Sequence, residues 1–155
     1  CLNSVRGIVK EIVVLDTGSS DRTVEIARHF GAKVHHFTWC NDFSAARNEA
    51  LKYVSGEWVL VLDADEVLVP EIIPGLQQVI KSDRILVINL LRQEVGAAQS
   101  PYSLVSRLFR RHPDISFSRP YHATIDDRVT EILRREPHWQ ICSLDRVAIL
   151  HYGYQ

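Results

Sequence analysis

Three carboxylates within four residues, Asp63, Asp65 and Glu66, directly follow an apolar run at residues 58–62. Two carboxylates that lie close together repel each other unless a cation or a proton lies between them. Hard oxygen ligands of this kind suit Mg²⁺ or Mn²⁺, with phosphate oxygens and water completing the coordination. The D-x-D pattern therefore indicates a divalent metal site, and an ordinary polar strand end is the alternative.

The apolar run before these acids indicates the element that positions them. An uninterrupted Val/Leu run is typical of a strand buried on both faces of a parallel sheet, and open α/β sheets bind ligands at the carboxyl ends of their strands. Residues 11–16 (EIVVLD) repeat the pattern and end at Asp16. We expect Asp16 to share one crevice with Asp63 and Asp65, whose side chains project to the same side of an extended segment.

A turn rich in small and capping residues follows Asp16 and contains Ser19 and Asp21. We expect it to lead into a helix over residues 22–30, whose free N–H groups can receive an anion. Asp16 is suited to the N–H edge of a base or to ribose hydroxyls. Arg47 lies in the first turn of an expected helix at residues 45–54 and can bind a phosphate or a base carbonyl bidentately, or else lie on a solvated face.

Strands and helices alternate with short connections as far as residue 92, which predicts an α/β fold with a mostly parallel sheet flanked by helices. The pattern then changes, and residues 104–111, 115–118 and 147–152 alternate like antiparallel strands, whereas residues 128–135 fit a helix or a strand. We expect one domain over residues 1–155, in which residues 93–155 form a smaller antiparallel half or a small subdomain packed on the sheet of residues 1–92. The other expected helices cover residues 1–8 and 70–82. The other expected strands cover residues 32–37, 57–63 and 84–91.

Composition excludes several classes of protein. The chain has 155 residues, is 46% hydrophobic and has a net charge of −1, so no basic field points to nucleic acid. No apolar run approaches the ~20 residues that span a bilayer, and no signal peptide is visible. The three cysteines form no paired metal or redox motif. We expect a cytoplasmic protein, with peripheral membrane association left open.

Three segments together carry a family resemblance: DTGSSDRT (16–23), WCNDFSAARN (39–48) and LDADE (62–66). Their combination and spacing resemble a family 2 inverting glycosyltransferase with the GT-A fold. The resemblance extends more weakly to RLFR (107–110) and HYGY (151–154). The family pattern begins with a strand that this chain does not contain, and the chain has no methionine. We therefore expect it to be truncated at its N-terminus.

The resemblance implies a nucleotide-diphospho-sugar donor, a divalent metal, and a glycan, lipid-linked or protein acceptor. By this resemblance, Asp16 binds the base or ribose of the donor, and Arg47 binds its base or diphosphate. Asp63 contacts the ribose or the metal's waters.

The resemblance makes Asp65 the direct metal ligand. Glu66 either helps to hold the metal or sugar or is a solvent-facing charge. His151, in the terminal apolar strand, either closes the metal site or is a packing residue.

Inverting transfer also needs a carboxylate that removes the proton of the acceptor hydroxyl. Relatives that resemble this chain commonly have His-Glu where it has His122 and Ala123. The remaining candidates for the base are Asp126, Asp127 and Glu66. The paired aspartates fit a helix cap equally well, and Glu66 a solvent-facing charge. The basic strand at residues 107–111 either contacts acceptor or diphosphate or is a solvated face.

Two other classes of function compete with sugar transfer. A degenerate, nucleotide-binding domain of a larger protein is favoured by Ala123 and by the missing first strand. A haloacid-dehalogenase-like phosphatase also has D-x-D after a strand, but its motif lies near the start of the chain and is followed by Gly-Thr. A sugar-1-phosphate nucleotidyltransferase would need a Gly-rich loop that the sequence does not show.

Overall fold

The computed structural model of the chain describes residues 1–19, 21–99, 101–121 and 123–153. The chain divides into two compact units, each built from separate stretches of sequence. The first unit comprises Cys1–Val5, Glu57–Arg110 and Glu136–Gln155, and the second comprises Arg6–Gly56 and Arg111–Arg135. Neither unit coincides with the halves 1–92 and 93–155.

Helices and strands alternate along the chain, and the expected α/β fold is confirmed. The helices are α1 (Leu2–Val5), α2 (Thr23–His29), α3 (Phe43–Leu51), α4 (Ile73–Val79), which a 3₁₀ helix (Pro70–Ile72) precedes, and α5 (Asp126–Arg135). The strands are β1 (Val13–Asp16), β2 (Lys33–His36), β3 (Trp58–Leu60), β4 (Glu66–Leu68), β5 (Ile85–Glu94), β6 (Tyr102–Arg110) and β7 (Gln140–His151). Within the described ranges, no helix is long and apolar enough to cross a membrane.

The first unit contains a five-stranded mixed sheet in the order β3-β6-β5-β7-β4. Strand β5 pairs in parallel with β7, whereas the β3–β6, β5–β6 and β4–β7 pairs are antiparallel. The apolar run in β5 explains its central position, because Leu86, Ile88 and Leu90 are fully buried. This central strand extends to Glu94, further than the expected 84–91, and so carries charged residues at its end.

The strand before the D-x-D motif differs from expectation. Strand β3 ends at Leu60 and lies at an edge of the sheet, so only Val59 is buried and its two neighbours are half-buried. By hydrogen bonding, β1 and β3 belong to different sheets, so the expectation of one parallel sheet containing both is wrong. The reason is that β3 pairs with β6, whose longer apolar face provides an antiparallel partner.

The second unit contains the parallel pair β1–β2 together with α2, α3 and α5. Gly31, at φ +81°, ends the second helix in the left-handed conformation. Asp42 caps the third helix by accepting a hydrogen bond from the Ala45 N–H at 3.0 Å, so this helix begins before residue 45. Ile125, just before α5, and Ile132, on α5 itself, are fully buried.

Three further elements resolve or correct the sequence analysis. Residues 128–135, which fitted either structure, form most of helix α5. Residues 115–118 are not a strand and contribute only an isolated bridge between Ser118 and Thr124. Strand β4 was not expected, because a three-residue strand is too short to show a period. It pairs with β7 and places Glu66 opposite His151.

Candidate active site

The D-x-D segment in the first unit is a turn rather than an extended strand end. The Glu66 N–H donates to the Asp63 carbonyl at 3.0 Å, and the Tyr152 N–H donates to the Asp65 carbonyl at 2.9 Å. The turn directs the two aspartates to different partners, since Asp63 faces Arg107 and Asp65 faces His151. The expectation that strand alternation aligns both carboxylates is therefore wrong.

Glu66 is fully buried at the start of β4, with 0% of its surface exposed. Its Oε1 accepts hydrogen bonds from the Asp63 N–H at 2.7 Å and from Arg107 Nη1 at 2.8 Å, and its Oε2 accepts one from Arg92 Nη1 at 3.2 Å. The solvent-facing alternative for Glu66 is thus wrong. A buried carboxylate needs such partners, and here they engage both oxygens that a catalytic base would use.

Arg107 is the principal partner that sequence reasoning missed. It is only 8% exposed, although the basic strand was expected to be a solvated face or an acceptor contact. Its Nη2 also lies 3.4 Å from Asp63 Oδ2, so the guanidinium joins Glu66 to the D-x-D turn. One sequence signal was available, because Arg107 and the buried Phe109 are two residues apart and therefore share a face of β6.

The other side of the turn carries a hydrogen-bonded group of Asp65, His151 and Glu94. The distance from His151 Nε2 to Asp65 Oδ2 is 2.9 Å, and His151 Nδ1 is hydrogen-bonded to Glu94 Oε2. Burial alone lowers the pKa of His151, but the hydrogen bonds with Glu94 and Asp65 outweigh it and raise the pKa. An imidazolium here donates to both carboxylates, and the neutral ring has one nitrogen available as a ligand.

Asp65 and His151 fit a divalent cation. Ligand bonds of about 2.1 Å at right angles place neighbouring donor atoms about 3.0 Å apart, close to the 2.9 Å found between Oδ2 and Nε2. The Asp65 side chain is 50% exposed, which leaves room for phosphate oxygens or water. The contact of His151 Nδ1 with a carboxylate is the support that metal-binding histidines commonly have. This donor set suits Mg²⁺ or Mn²⁺.

In the second unit, Asp16 ends β1 and is buried, with 7% exposed. The Ser19 N–H donates to Asp16 Oδ1 at 3.1 Å, and His36 Nδ1 lies 3.4 Å from Oδ2 because the two residues are in register across the β1–β2 pair. Hydrogen bonding by the Ser19 side chain is the main cause that keeps the pKa of Asp16 below its usual range. Asp16 is therefore an ionised acceptor at neutral pH.

Asp21 acts locally at the start of α2. Its Oδ1 accepts hydrogen bonds from the Thr23 N–H at 3.0 Å and from the Thr23 hydroxyl, which lowers the pKa of Asp21. The residue at the cap position itself is Arg22, whose side chain makes no cap hydrogen bond. Asp21 thus orders the start of α2.

Arg47 lies in the second turn of α3, not the first, because Asp42 starts that helix early. Its guanidinium carbon is 5.1 Å from the centroid of the Phe117 ring, which is a cation–π contact. Phe117 is held in turn by Asn48, whose side-chain amide exchanges hydrogen bonds of 2.9 and 2.7 Å with the Phe117 backbone. The segment around Phe117 therefore supports the Arg47 side chain.

The two aspartates proposed as bases open α5. Asp127 accepts a hydrogen bond from Ser118 Oγ at 2.7 Å and lies 3.4 Å from Arg119 Nη2. These contacts, that of Ser118 first, lower the pKa of Asp127. Asp126 is exposed. Acids in a first helical turn also stabilise the helix dipole, so both positions have a structural role available. His122 lies outside the described residues.

The α/β fold with its mixed sheet and flanking helices matches the fold of GT-A type glycosyltransferases. The sequence pattern of Glycosyl transferase family 2 matches residues 1–142, and the chain belongs to that family. This membership excludes the phosphatase and nucleotidyltransferase alternatives.

The chain is similar to curated proteins and to solved structures. A TPR repeat-containing protein of Synechococcus elongatus is 49% identical over 99% of the chain, which spans 38% of that protein's length. S. aureus TarS in complex with UDP-GlcNAc matches with a TM-score of 0.73 at 21% identity, over 99% of this chain and 53% of TarS. Glucosyl-3-phosphoglycerate synthase from Mycobacterium tuberculosis, in complex with Mn²⁺, UDP and phosphoglyceric acid, matches with a TM-score of 0.68 at 17% identity, over 96% and 62% of the two chains. At these identities the two structures show a shared fold.

Proposed function

We propose that this domain transfers a sugar, with inversion, from a nucleotide-diphospho-sugar to a hydroxyl of a glycan, lipid-linked or protein acceptor. The observation that carries the proposal is the pairing of Asp65 Oδ2 with His151 Nε2 at 2.9 Å beside an exposed carboxylate. Asp65 and His151 would hold a divalent ion, with Asp63 contacting ribose or the metal's waters. The ion would supply positive charge to neutralise the diphosphate leaving group.

The nucleotide side of the proposal rests on the second unit. Asp16 is ionised and buried at a strand end, so it offers an acceptor to a base N–H or a ribose hydroxyl. The Ser19 N–H donates to Asp16, and Asp21 orders the start of the helix that follows. Arg47, supported on Phe117, supplies a cationic fork for the base or diphosphate. The UDP complexes of TarS and the mycobacterial synthase make UDP the first nucleotide to test.

The proposed base is Asp126 or Asp127. Glu66 is a weaker candidate because both of its oxygens already accept hydrogen bonds in a fully buried site. Asp127 has a lowered pKa, which makes it a poorer proton acceptor than an ordinary carboxylate. Either aspartate would abstract the acceptor proton as the oxygen attacks the anomeric carbon, and the exposed Asp126 is the one to substitute first.

A second candidate function is nucleotide binding without transfer. It is favoured by Ala123, which stands where the family resemblance implies a glutamate. The donor-binding residues would then remain in use, while no carboxylate would activate an acceptor.

Calorimetry with UDP, GDP and their sugars, with and without Mn²⁺, tests the proposal. We expect nucleotide binding that depends on the metal and weakens at least ~10-fold in Asp65→Asn, because a direct ligand is lost. Glu71→Gln, which changes an exposed carboxylate of the 3₁₀ helix, is the matched control and should bind normally. If no nucleotide binds in a metal-dependent way, the proposed function is wrong.

Donor turnover then separates the two candidates. Release of UDP from a bound UDP-sugar, lost in Asp126→Asn without a change in donor affinity, is the outcome expected of a transferase with this base. Metal-dependent binding without any donor hydrolysis or transfer would instead identify a nucleotide-binding domain.

A further inference from the structure

The His151 ring is held from three directions in the first unit. Its Nε2 is 2.9 Å from Asp65 Oδ2, and its Nδ1 is hydrogen-bonded to Glu94 Oε2. The third constraint is Gly153, because a Cβ there would lie 2.8 Å from both Cε1 and Nε2 of the ring and 3.3 Å from Asp65 Oδ2. Real Cβ atoms essentially never come this close, so the observed orientation of the His151 ring requires a glycine at position 153.

Glu94 is itself fixed by the sheet. It is the last residue of β5 and is in register with His151 on the parallel neighbour β7. Its Oε1 lies 3.0 Å from Arg92 Nε, and Arg92 Nη1 reaches the buried Glu66 at 3.2 Å. Arg92 and Glu94 are two residues apart on β5 and so share a face. Arg92 thus lies between the carboxylates of Glu66 and Glu94, and Glu94 in turn contacts the His151 ring.

We propose that Glu94 is a positioning residue, which holds His151 through Nδ1 so that Nε2 faces Asp65 and a divalent ion, and that Gly153 leaves room for this ring orientation. The proposal rests on the metal-assisted function above and deepens it. A carboxylate on Nδ1 favours the neutral tautomer with hydrogen at Nδ1, which leaves the lone pair on Nε2. Glu94 itself does not touch the metal or the donor.

Mn²⁺ affinity, measured by electron paramagnetic resonance on the whole chain, is the first test. We expect Glu94→Ala to weaken Mn²⁺ binding by about 10- to 100-fold, the usual loss when such a partner is removed. Glu94→Gln should lose less, because its amide oxygen still accepts a hydrogen bond from Nδ1. Gly153→Ala should also lose affinity although it removes no charge, and Glu71→Gln should bind Mn²⁺ like the wild type.

The tautomer of His151 is the second test, and a merely structural ion pair would not predict it. In an Asp65→Ala background, which removes the competing carboxylate from Nε2, ¹⁵N NMR of the neutral imidazole at alkaline pH should show hydrogen at Nδ1 with Glu94 retained and with Glu94→Gln, but not with Glu94→Ala. The tautomer is observable in the metal-free chain, so it does not depend on turnover. An unchanged tautomer in a folded Glu94→Ala variant would contradict the positioning role.

The two proposals fail in different ways. If the wild type binds no Mn²⁺, the metal-assisted function is wrong, and the proposal that Glu94 positions His151 for a metal is wrong with it. If the wild type binds Mn²⁺ and folded Glu94→Ala binds it equally well, only the positioning role is overturned.

Discussion

Replacing Glu66 by glutamine distinguishes a structural carboxylate from a catalytic one. The change keeps the size of the side chain and removes its charge. Arg107, with a side chain 9% exposed, then loses the partner that lies 2.8 Å away, and Arg92 loses the one at 3.2 Å. The guanidinium of Arg107 is left with Asp63 at 3.4 Å as its nearest carboxylate.

The expected loss of stability is large. Breaking a buried ion pair by removing one partner costs about 3–5 kcal/mol, because the other charge remains buried. The amide oxygen of glutamine still accepts one hydrogen bond, so we expect about 3 kcal/mol, at the lower end. For a chain of this size, about 2–4 °C per kcal/mol converts this loss into a fall in Tm of about 6–12 °C.

Urea denaturation followed by circular dichroism measures this loss, with Glu71→Gln as the control for removing a carboxylate of the same unit. The control should change the free energy of unfolding by less than about 0.5 kcal/mol, as exposed substitutions usually do. A Glu66→Gln loss below about 1 kcal/mol, together with abolished sugar transfer, would refute the structural reasoning and identify Glu66 as the base.

Three further outcomes are expected. Asn48→Ala removes two hydrogen bonds to the Phe117 backbone and should cost about 2 kcal/mol in urea denaturation, with normal m-values. Asp42→Ala removes a helix cap and should lower the free energy of unfolding by about 1 kcal/mol by the same measurement, whereas an unchanged value would exclude a stabilising cap. Asp16 has a folded-state pKa below its unfolded value, so its contribution to stability is present above the unfolded pKa and is lost as the pH falls below about 4. A titration of stability against pH should show a smaller acid loss in Asp16→Asn than in the wild type.

Much of the site chemistry was readable from residue type and spacing. The apolar run ending in D-x-D, the turn after Asp16 and the motif containing Arg47 carried the family resemblance, and the family membership is confirmed by the match over residues 1–142. Helix boundaries followed local signals as well. Gly31 ends α2, and Asp42 caps α3, although that helix starts two residues earlier than the expected residue 45.

Sheet pairing was not readable in the same way. Strand β3 was expected in a parallel sheet because its sequence is uninterrupted and apolar, yet it pairs antiparallel with β6 at an edge. A run of apolar residues indicates that a strand is buried, but it does not indicate which strand it pairs with. Strand β4 is only three residues long, too short for any period to reveal it.

The sequence by itself determined the set of ionisable groups and the family of chemistry, because those depend on side-chain types at short spacing. Only the tertiary structure decided which carboxylates are buried and which partners each one has. Glu66 and Asp65 are adjacent in the chain, yet one is fully buried between two arginines and the other is half exposed beside His151. Their partners come from β5, β6 and β7, up to 86 residues away in sequence. Burial and distant partners set the role of a carboxylate, and both are products of strand pairing.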